Sequence, residues 1–175
     1  GNDFASYWGL DEDNYKQAVD WIINRRVRKI DVGRVGYTDG DVCGTRYFIN
    51  AMYIGLGARF VWISNGTRRF WGMQWLSFLS SMFLLLFERK LHRMHLKING
   101  EHIRDKIMTV CIGSARGYGL TPSAVPYNGW LDVSVVYRPE LLQLFKGLWL
   151  LVQGRLLNLK VVKPYRTKKV KILRA

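Results

Sequence analysis

The chain has 175 residues, a net charge of +14 and a hydrophobic fraction of 49%, which allows one domain with a real core and argues against disorder. An isoelectric point near 10.1 suits an anionic partner, whether nucleic acid, nucleotide phosphate or membrane face, or else a solvated basic strand or tail. Two cysteines, Cys43 and Cys111, are too few for a disulfide scaffold, and no signal peptide is visible, so a reduced, cytosolic protein is expected.

The first residues, GNDFASYWGL, make a turn at Gly1, Asn2 and Asp3 and pass at once into apolar and aromatic residues. Asp11 to Asn24 reads as a helix. Acids crowd its first turn, and Tyr15, Ala18, Val19 and Ile22 recur at helical spacing. Val27, Ile30 and Val32 sit in a β-rich stretch punctuated by Gly33 and Gly36. TDGDVCG is expected to turn it into a hairpin with TRYFINAMYI.

Residues 71–87 carry no charge. They are shorter than the roughly 20 residues a bilayer core needs, so a buried helix or one lining an apolar site is expected. KLHRMHLKINGEHIRDK reads as a hairpin. Leu91, Met94, Leu96 and Ile98 are its apolar positions, and Asn99-Gly100 is its turn. IMTVCIG and LDVSVVY read as two more strands. Pro139 opens a leucine-rich helix over residues 140–153. The tail NLKVVKPYRTKKVKI alternates like strands, with Pro164 expected at a turn. No acid follows Glu140, while nine basic residues do, from Lys146 to Arg174. The chain therefore alternates hairpins with a few helices and repeats no βαβ unit. It is expected to be an α+β, mostly antiparallel, β-sandwich-like domain.

Motifs for chemistry are sparse. His92, His95 and His102 suggest a metal site, but on a strand His92 and His95 face opposite sides and cannot share one metal. GLGARF at Gly55 lacks the third glycine and the βαβ setting of a dinucleotide loop. GSARG does not have the spacing of a nucleophile elbow. The stretch VCIGSARGYGLTPSAVPYNGWLDVSVV, residues 110–136, is denser in signal. It runs from a strand through glycines 113, 117 and 119, a Pro-x-Ala turn and an Asn-Gly turn into a second strand. Such glycines let a backbone approach a ligand, or simply serve an ordinary connection.

This stretch resembles the diacylglycerol kinase and sphingosine kinase superfamily, particularly the bacterial lipid kinases. The matching positions are Ile112-Gly113, Gly117-Tyr118-Gly119, Pro122-Ser123-Ala124, Asn128-Gly129 and Leu131-Asp132-Val133. FINAMYIGLGARFV is similar to the family's Phe-x-Asn segment and KIDVGRV to its Ile-Asp-Val-Gly strand. GNDFA is similar to the second half of Gly-Thr-x-Asn-Asp-Phe-Ala. Gly57, Ile112, Tyr118 and Asn128 depart from the Asp, Asn, Gly and Asp common in the family.

The resemblance implies that residues 1–175 are the second, C-terminal lobe of a two-domain lipid kinase, cut at both ends. The nucleotide-binding lobe and an Asp-Gly-Glu motif carrying the catalytic base would lie outside the chain. It implies ATP and magnesium as cofactors, with no recognisable metal site here. The reaction would be phosphoryl transfer to a lipid hydroxyl, by a protein that is cytoplasmic and peripherally membrane-associated, with this fragment inactive alone. It places Asn2, Asp3, Gly113, Gly117 and Gly119 at the nucleotide cleft. Lipid and membrane contacts are expected from Trp71, Trp75 and Phe78, from Leu148 and Trp149, and from the basic tail. The expected partners are the lipid, an anionic membrane face, the protein's own nucleotide-binding lobe and a second copy of the chain. Within the superfamily, NAD or a sphingoid base is the alternative acceptor. Outside it, a basic nucleic-acid-binding module is the alternative.

Overall fold

The computed structural model describes residues 3–10, 14–59, 91–116, 120–153 and 155–174. Its chain order is α1 (Asp3–Tyr7), α2 (Tyr15–Ile23), β1 (Gly33–Asp39), β2 (Val42–Phe48), β3 (Ala51–Gly55), β4 (His92–Ile98), β5 (Glu101–Gly113), β6 (Leu131–Tyr137), α3 (Leu141–Val152), a 3-10 turn (Leu156–Asn158), β7 (Val162–Thr167) and β8 (Val170–Arg174). β1 and β2 form an antiparallel ribbon. The remaining strands form one sheet, ordered β7-β6-β5-β4-β8, with β3 also paired to β5.

Asn99 and Gly100 have positive φ, 51° and 87°, and join β4 to β5 with Ile98 opposite Glu101. That is the tight, doubly left-handed turn expected of Asn-Gly. Beyond it β5 runs for 13 residues. Its first half pairs with β4, its second half with β3 on the same side, and β6 lies on the other side. The separate strand expected at IMTVCIG is therefore the second half of β5.

A register shift between Ile107 and Thr109 changes which side chains face inward. Before it, Ile103 and Ile107 point into the main core. After it, Val110 and Ile112 do, and Cys111 turns to a second core.

The sheet closes on itself, and chain reach shows why. β7 and β8 lie at opposite ends of the strand order, yet only Lys168 and Lys169 separate them. A flat five-strand sheet would hold its end strands about 19 Å apart. Three Cα steps span at most about 11 Å. The sheet must curl until its ends meet. Asn99 Nδ2 donates to Arg166 O at 2.9 Å and ties the β4–β5 turn to β7. Inside the curl lie Met94, Leu96, Ile98, Val133 and Val135, with Tyr165 and Val170 packed against them.

The outer face has two halves. Over β5, β6 and β7, the buried Cys111, Val136 and Val162 meet Leu150 of α3 and Leu157 and Leu159 after it. Over β8, β4 and the first half of β5, the outward side chains are polar and mostly exposed. The expected sandwich-like α+β fold is thus what the chain forms.

Several local expectations need correction. Residues 24–32 are not a strand. Asn24 caps α2, and the amides of Arg25 and Arg26 donate to Ile22 O and Trp21 O at 3.1 and 2.9 Å. Arg25 takes the left-handed φ of 47° that closes such a cap. The strand starts only at Gly33. The hairpin turn after it is just Gly40-Asp41, since Asp39 already pairs with Val42. Pro164 is not at a turn. It lies inside β7 opposite Ser134, on an edge strand where its missing N–H is tolerated. The apolar stripe of α2 is not core: Tyr15, Val19 and Ile22 are all exposed. The uncharged segment 71–87 lies outside the described residues. No helix among the described residues is long and apolar enough to cross a membrane.

Sequence spacing kept His92 and His95 apart, but it missed the pair made by His95 and His102 across β4 and β5. Their Nε2 and Nδ1 atoms are 2.9 Å apart, and Arg104 Nε donates to the same His95 Nε2 at 3.2 Å. Burial, then the charge of Arg104, then His102 lower the His95 pKa below the ordinary 6.5.

Two outcomes follow from this packing. Leu96, fully enclosed, should cost about 2–5 kcal/mol when cut to Ala. Ile22→Ser on the bare face of α2 should change stability by less than about 0.5 kcal/mol; urea unfolding of both variants checks this. For His95, the unfolded chain takes up a proton at a higher pH than the folded one. Stability is therefore whole above the ordinary imidazole value and is lost as pH falls below it. Thermal unfolding from about pH 7.5 to about pH 5 should show a decline that His95→Gln makes shallower. An unchanged slope would refute the assignment.

Candidate functional site

The loop between β5 and β6 is built on backbone carbonyls. As the chain leaves Gly113, the amides of Ser114 and Ala115 both donate to Asn50 O, at 2.9 and 3.2 Å. Thr121 Oγ1 donates to Ala115 O at 3.3 Å, and Ser134 Oγ donates to Leu120 O. The far end is held by Asp31. Its amide donates to Pro126 O at 2.7 Å, and its carboxylate accepts from Gly129 N at 2.7 Å. Asn128 Oδ1 accepts from Trp130 N at 2.9 Å and shapes the Asn-Gly turn. Sequence reading placed Asp31 in a strand and missed this clamp, because the partner is 98 positions away.

Gly113 is buried, and a Cβ there would lie 2.6 Å from Thr121 Oγ1 and 2.9 Å from the rest of that side chain. Close packing of strand on loop accounts for this glycine. The Oδ1 of Asn50 is buried with no hydrogen-bond partner among the described residues, at the point where the loop begins. Such an atom is costly to leave unpaired, by about 1–3 kcal/mol.

The structure brings the opening segment to this loop. Tyr7 of α1 donates its hydroxyl to Tyr127 at 3.2 Å, and the Trp8 ring lies 6.0 Å from that of Tyr127. Arg28 stacks over Trp8 at 5.4 Å. Asn2, Gly117 and Gly119 lie outside the described residues. Asp3 begins α1, but its side chain is likewise outside them.

A groove of about 930 Å³ separates the β1–β2 ribbon from the main sheet. Val35, Phe48, Met52, Ile112 and Leu131 form its floor, and Arg34, Lys168, Lys169 and Lys171 stand on its rim. Gly33 lets the Phe48 ring lie flat against β1, since a Cβ there would overlap the ring. A smaller cleft of about 350 Å³, lined by Lys97, Asn99 and Gly100, shares Trp130, Lys168, Lys169 and Lys171 with the groove. Lys168 Nζ sits 5.0 Å from the Trp130 ring. The Thr167 hydroxyl accepts from Lys169 N at 3.2 Å and donates to Lys169 O at 3.0 Å, which fixes the lysine turn.

Of the expected lipid contacts, Trp71, Trp75 and Phe78 lie outside the described residues. Leu148 is in α3 with its side chain outside them. Trp149 is described and 66% exposed. It shares a helix face with the exposed Leu142 and with Lys146, seven and three residues earlier.

Among the described residues, no three carboxylate, imidazole or thiol groups converge where a metal could bind. Magnesium chemistry is therefore assigned to none of them. Burial pushes the Cys111 thiol up to about 12, against smaller opposite pulls from Tyr53 and Thr121, so it is no nucleophile. Cys43 is exposed.

The tight seat of Gly113 has a measurable consequence. Gly113→Ala should destabilise the chain by about 1–3 kcal/mol. Thr121→Ala, made together with it, should recover part of that loss. Equal loss in the single and double variants, read by urea unfolding, would show that Thr121 is not what the methyl meets.

Comparison with known proteins gives this arrangement a family. A family model described as the YegS C-terminal NAD kinase beta sandwich-like domain matches residues 50–175. Three solved structures from Bacillus anthracis str. Sterne share the fold. One, described as a proposed diacylglycerol kinase, is 17% identical with a TM-score of 0.63. A second, described as a diacylglycerol kinase, is 18% identical with a TM-score of 0.63. A third, again a proposed diacylglycerol kinase, is 16% identical with a TM-score of 0.60. Each superposition takes in 99% of this chain but 56%, 55% and 53% of the other, so the chain spans little more than half the length of these structures. No curated protein sequence matches it. With the family pattern running from Asn50 to the last residue, and the same fold in all three structures, this chain belongs to the family of the YegS C-terminal NAD kinase beta sandwich-like domain.

Proposed function

We propose that the chain is the acceptor-binding side of a lipid kinase, which moves the γ-phosphoryl group of ATP to a lipid hydroxyl. The observation that carries this reading is the groove between ribbon and sheet. Its floor is apolar and its rim is basic. An acyl chain gains by burial on such a floor. A phosphate held near the rim gains from the lysines and Arg34. One site thus suits both the neutral substrate's tail and the charged head of the product.

In the reaction, the lipid hydroxyl oxygen bonds to the γ-phosphorus as the bond to the bridging oxygen of ADP breaks. The hydroxyl proton passes to a carboxylate base. Neither that base nor the triphosphate cradle is assigned to a described residue. Magnesium ATP would supply the phosphoryl group, and a nucleotide-binding lobe would present it. The chain's own part is to hold and orient the acceptor and exclude water. α1, seated against Tyr127, and the loop from Gly113 to Trp130 would form the wall facing that lobe. The uncovered stripe of α2 is apolar surface available for it to pack on.

NAD or a sphingoid base remains the competing acceptor within the family. The pyrophosphate of NAD would meet the basic rim, but its riboses gain less from Val35, Phe48, Met52 and Leu131 than acyl chains do. A sphingoid base carries an amine, which the lysine rim would repel. Diacylglycerol's tails suit the apolar floor, and the phosphate of its product suits the rim.

The test is acceptor competition in the native protein that carries this chain. With γ-labelled ATP and mixed micelles, label should enter phosphatidate from diacylglycerol in preference to NADP or a sphingoid-base phosphate. Label in NADP with none in lipid would overturn the reading.

A further inference from the structure

The outward face of β8, β4 and the first half of β5 is basic at every pairing. Arg93 lies opposite Lys106, His95 opposite Arg104, and Lys97 opposite His102. On the other side of β4, Lys97 lies opposite Lys171 and His95 opposite Arg174. At Arg93–Lys106 and Lys97–Lys171 two full charges are directly opposed, about 5 Å apart at Cβ, where like charges destabilise the sheet. The acids of β5 do not relieve this. Glu101 and Asp105 pair with Ile98 and Met94, so the two-residue period turns them to the opposite face. None of the six Lys and Arg residues on this face is ion-paired within the described residues. All six are exposed or half-buried.

We infer that this face is a docking surface for an anionic phospholipid bilayer. Three arguments select that partner. The patch is an open, continuous sheet face, about 10 Å across three strands and about 14 Å along β4. It presents no Phe, Tyr or Trp on which an unstacked base could lie. It also continues into the groove, since Lys97 and Lys171 line the cleft that shares Trp130 and three lysines with it. A molecule drawn from the bilayer would meet the groove at the edge of the docked face. The choice of a bilayer over another polyanion rests on the lipid-kinase reading. Of the surface expected from sequence, the helices and the basic tail, this face takes in only the tail, through Lys171 and Arg174 of β8.

The experiment uses the full chain and co-sedimentation with phosphatidylcholine vesicles, with and without phosphatidylglycerol. Binding should require phosphatidylglycerol and weaken in high salt. Each removed charge should cost about fivefold in partitioning, so Arg93→Gln, Arg104→Gln and Lys106→Gln together should cost about a hundredfold. Their melting temperature should stay level or rise, because repulsion is relieved. Removing three charges elsewhere, with Arg25→Gln, Arg26→Gln and Lys29→Gln, should cost far less. The inference falls if both triple variants lose binding equally, if neutral vesicles bind as well, or if duplex DNA competes the protein off at equal phosphate. Lipid phosphorylation in detergent is a separate readout. If it persists without vesicle binding, only the docking face is refuted. If vesicles bind and no lipid is phosphorylated, only the kinase reading is.

Discussion

One residue of extra length in β5 divides the molecule. An antiparallel strand with a strict two-residue period keeps one set of side chains inside throughout. Here the register slips between Ile107 and Thr109, and the inward set changes from odd to even positions. Before the slip, β5 has one buried face, with Ile103 and Ile107 in the core and His102, Arg104 and Lys106 in solvent. After it, residues 109–113 are buried on both faces. They need cover from β3, β6 and the α3 layer at once. The same strand thus carries a polar surface at one end and a fully enclosed rod at the other. The rod ends at Gly113, where the loop to β6 begins.

That division settles what kind of loop can follow. A strand enclosed on both sides has no solvent to satisfy backbone groups where it stops. The loop answers with local and long-range carbonyl partners: Asn50 O for two amides, Ala115 O for Thr121, Leu120 O for Ser134. Its distal end is fixed through Asp31, which precedes β1. The ribbon β1–β2 is therefore tied to the same loop it helps to enclose. A two-stranded ribbon is marginal alone. Phe48 packing on the main core and Asp31 bonding to Gly129 are what hold it over the groove.

What the sequence revealed was chemistry that acts within a few residues. Asn99-Gly100 named its turn and LDVSVVY its strand, because each depends on local backbone preference; Pro139 marked a helix that begins two residues later, at Leu141. Where a feature depended on a distant partner, the reading failed. IMTVCIG looked like its own strand, since nothing local shows that it continues through Met108 from the preceding hairpin. Pro164 looked like a turn, because only the sheet order shows that β7 is an edge. The helical stripe of α2 looked like core, since periodicity reports that one face is apolar and not what covers it. For the site, the family segments were legible, and Tyr127 meeting Tyr7 brings two of them together. The Asp31 clamp carried no sequence signal, since its partner lies 98 positions away; the His95–His102 pair follows from the register that the Asn99-Gly100 turn sets, and was missed there.

Charge shows the same limit most sharply. The run of lysines after Glu140 marked the tail as basic, and the tail is only one edge of the basic surface. Arg93, Lys97, Arg104 and Lys106 join it through β4 and β5, about seventy residues earlier in the chain, once β8 pairs with β4. That pairing is forced by the two-residue link between β7 and β8, which closes the sheet and sets the tail beside the hairpin. The closure that builds the apolar core also gathers the positive charge onto one outer face. A repulsive face on a curled sheet is tolerable because Leu96, Ile98 and Ile107 behind it are fully buried, and each such side chain stabilises the fold by about 1.5–3 kcal/mol. Exposed like-charge pairs cost less than that. The fold can therefore carry an unfavourable surface at no risk to its core, and that surplus leaves the face free to be matched by an anionic partner.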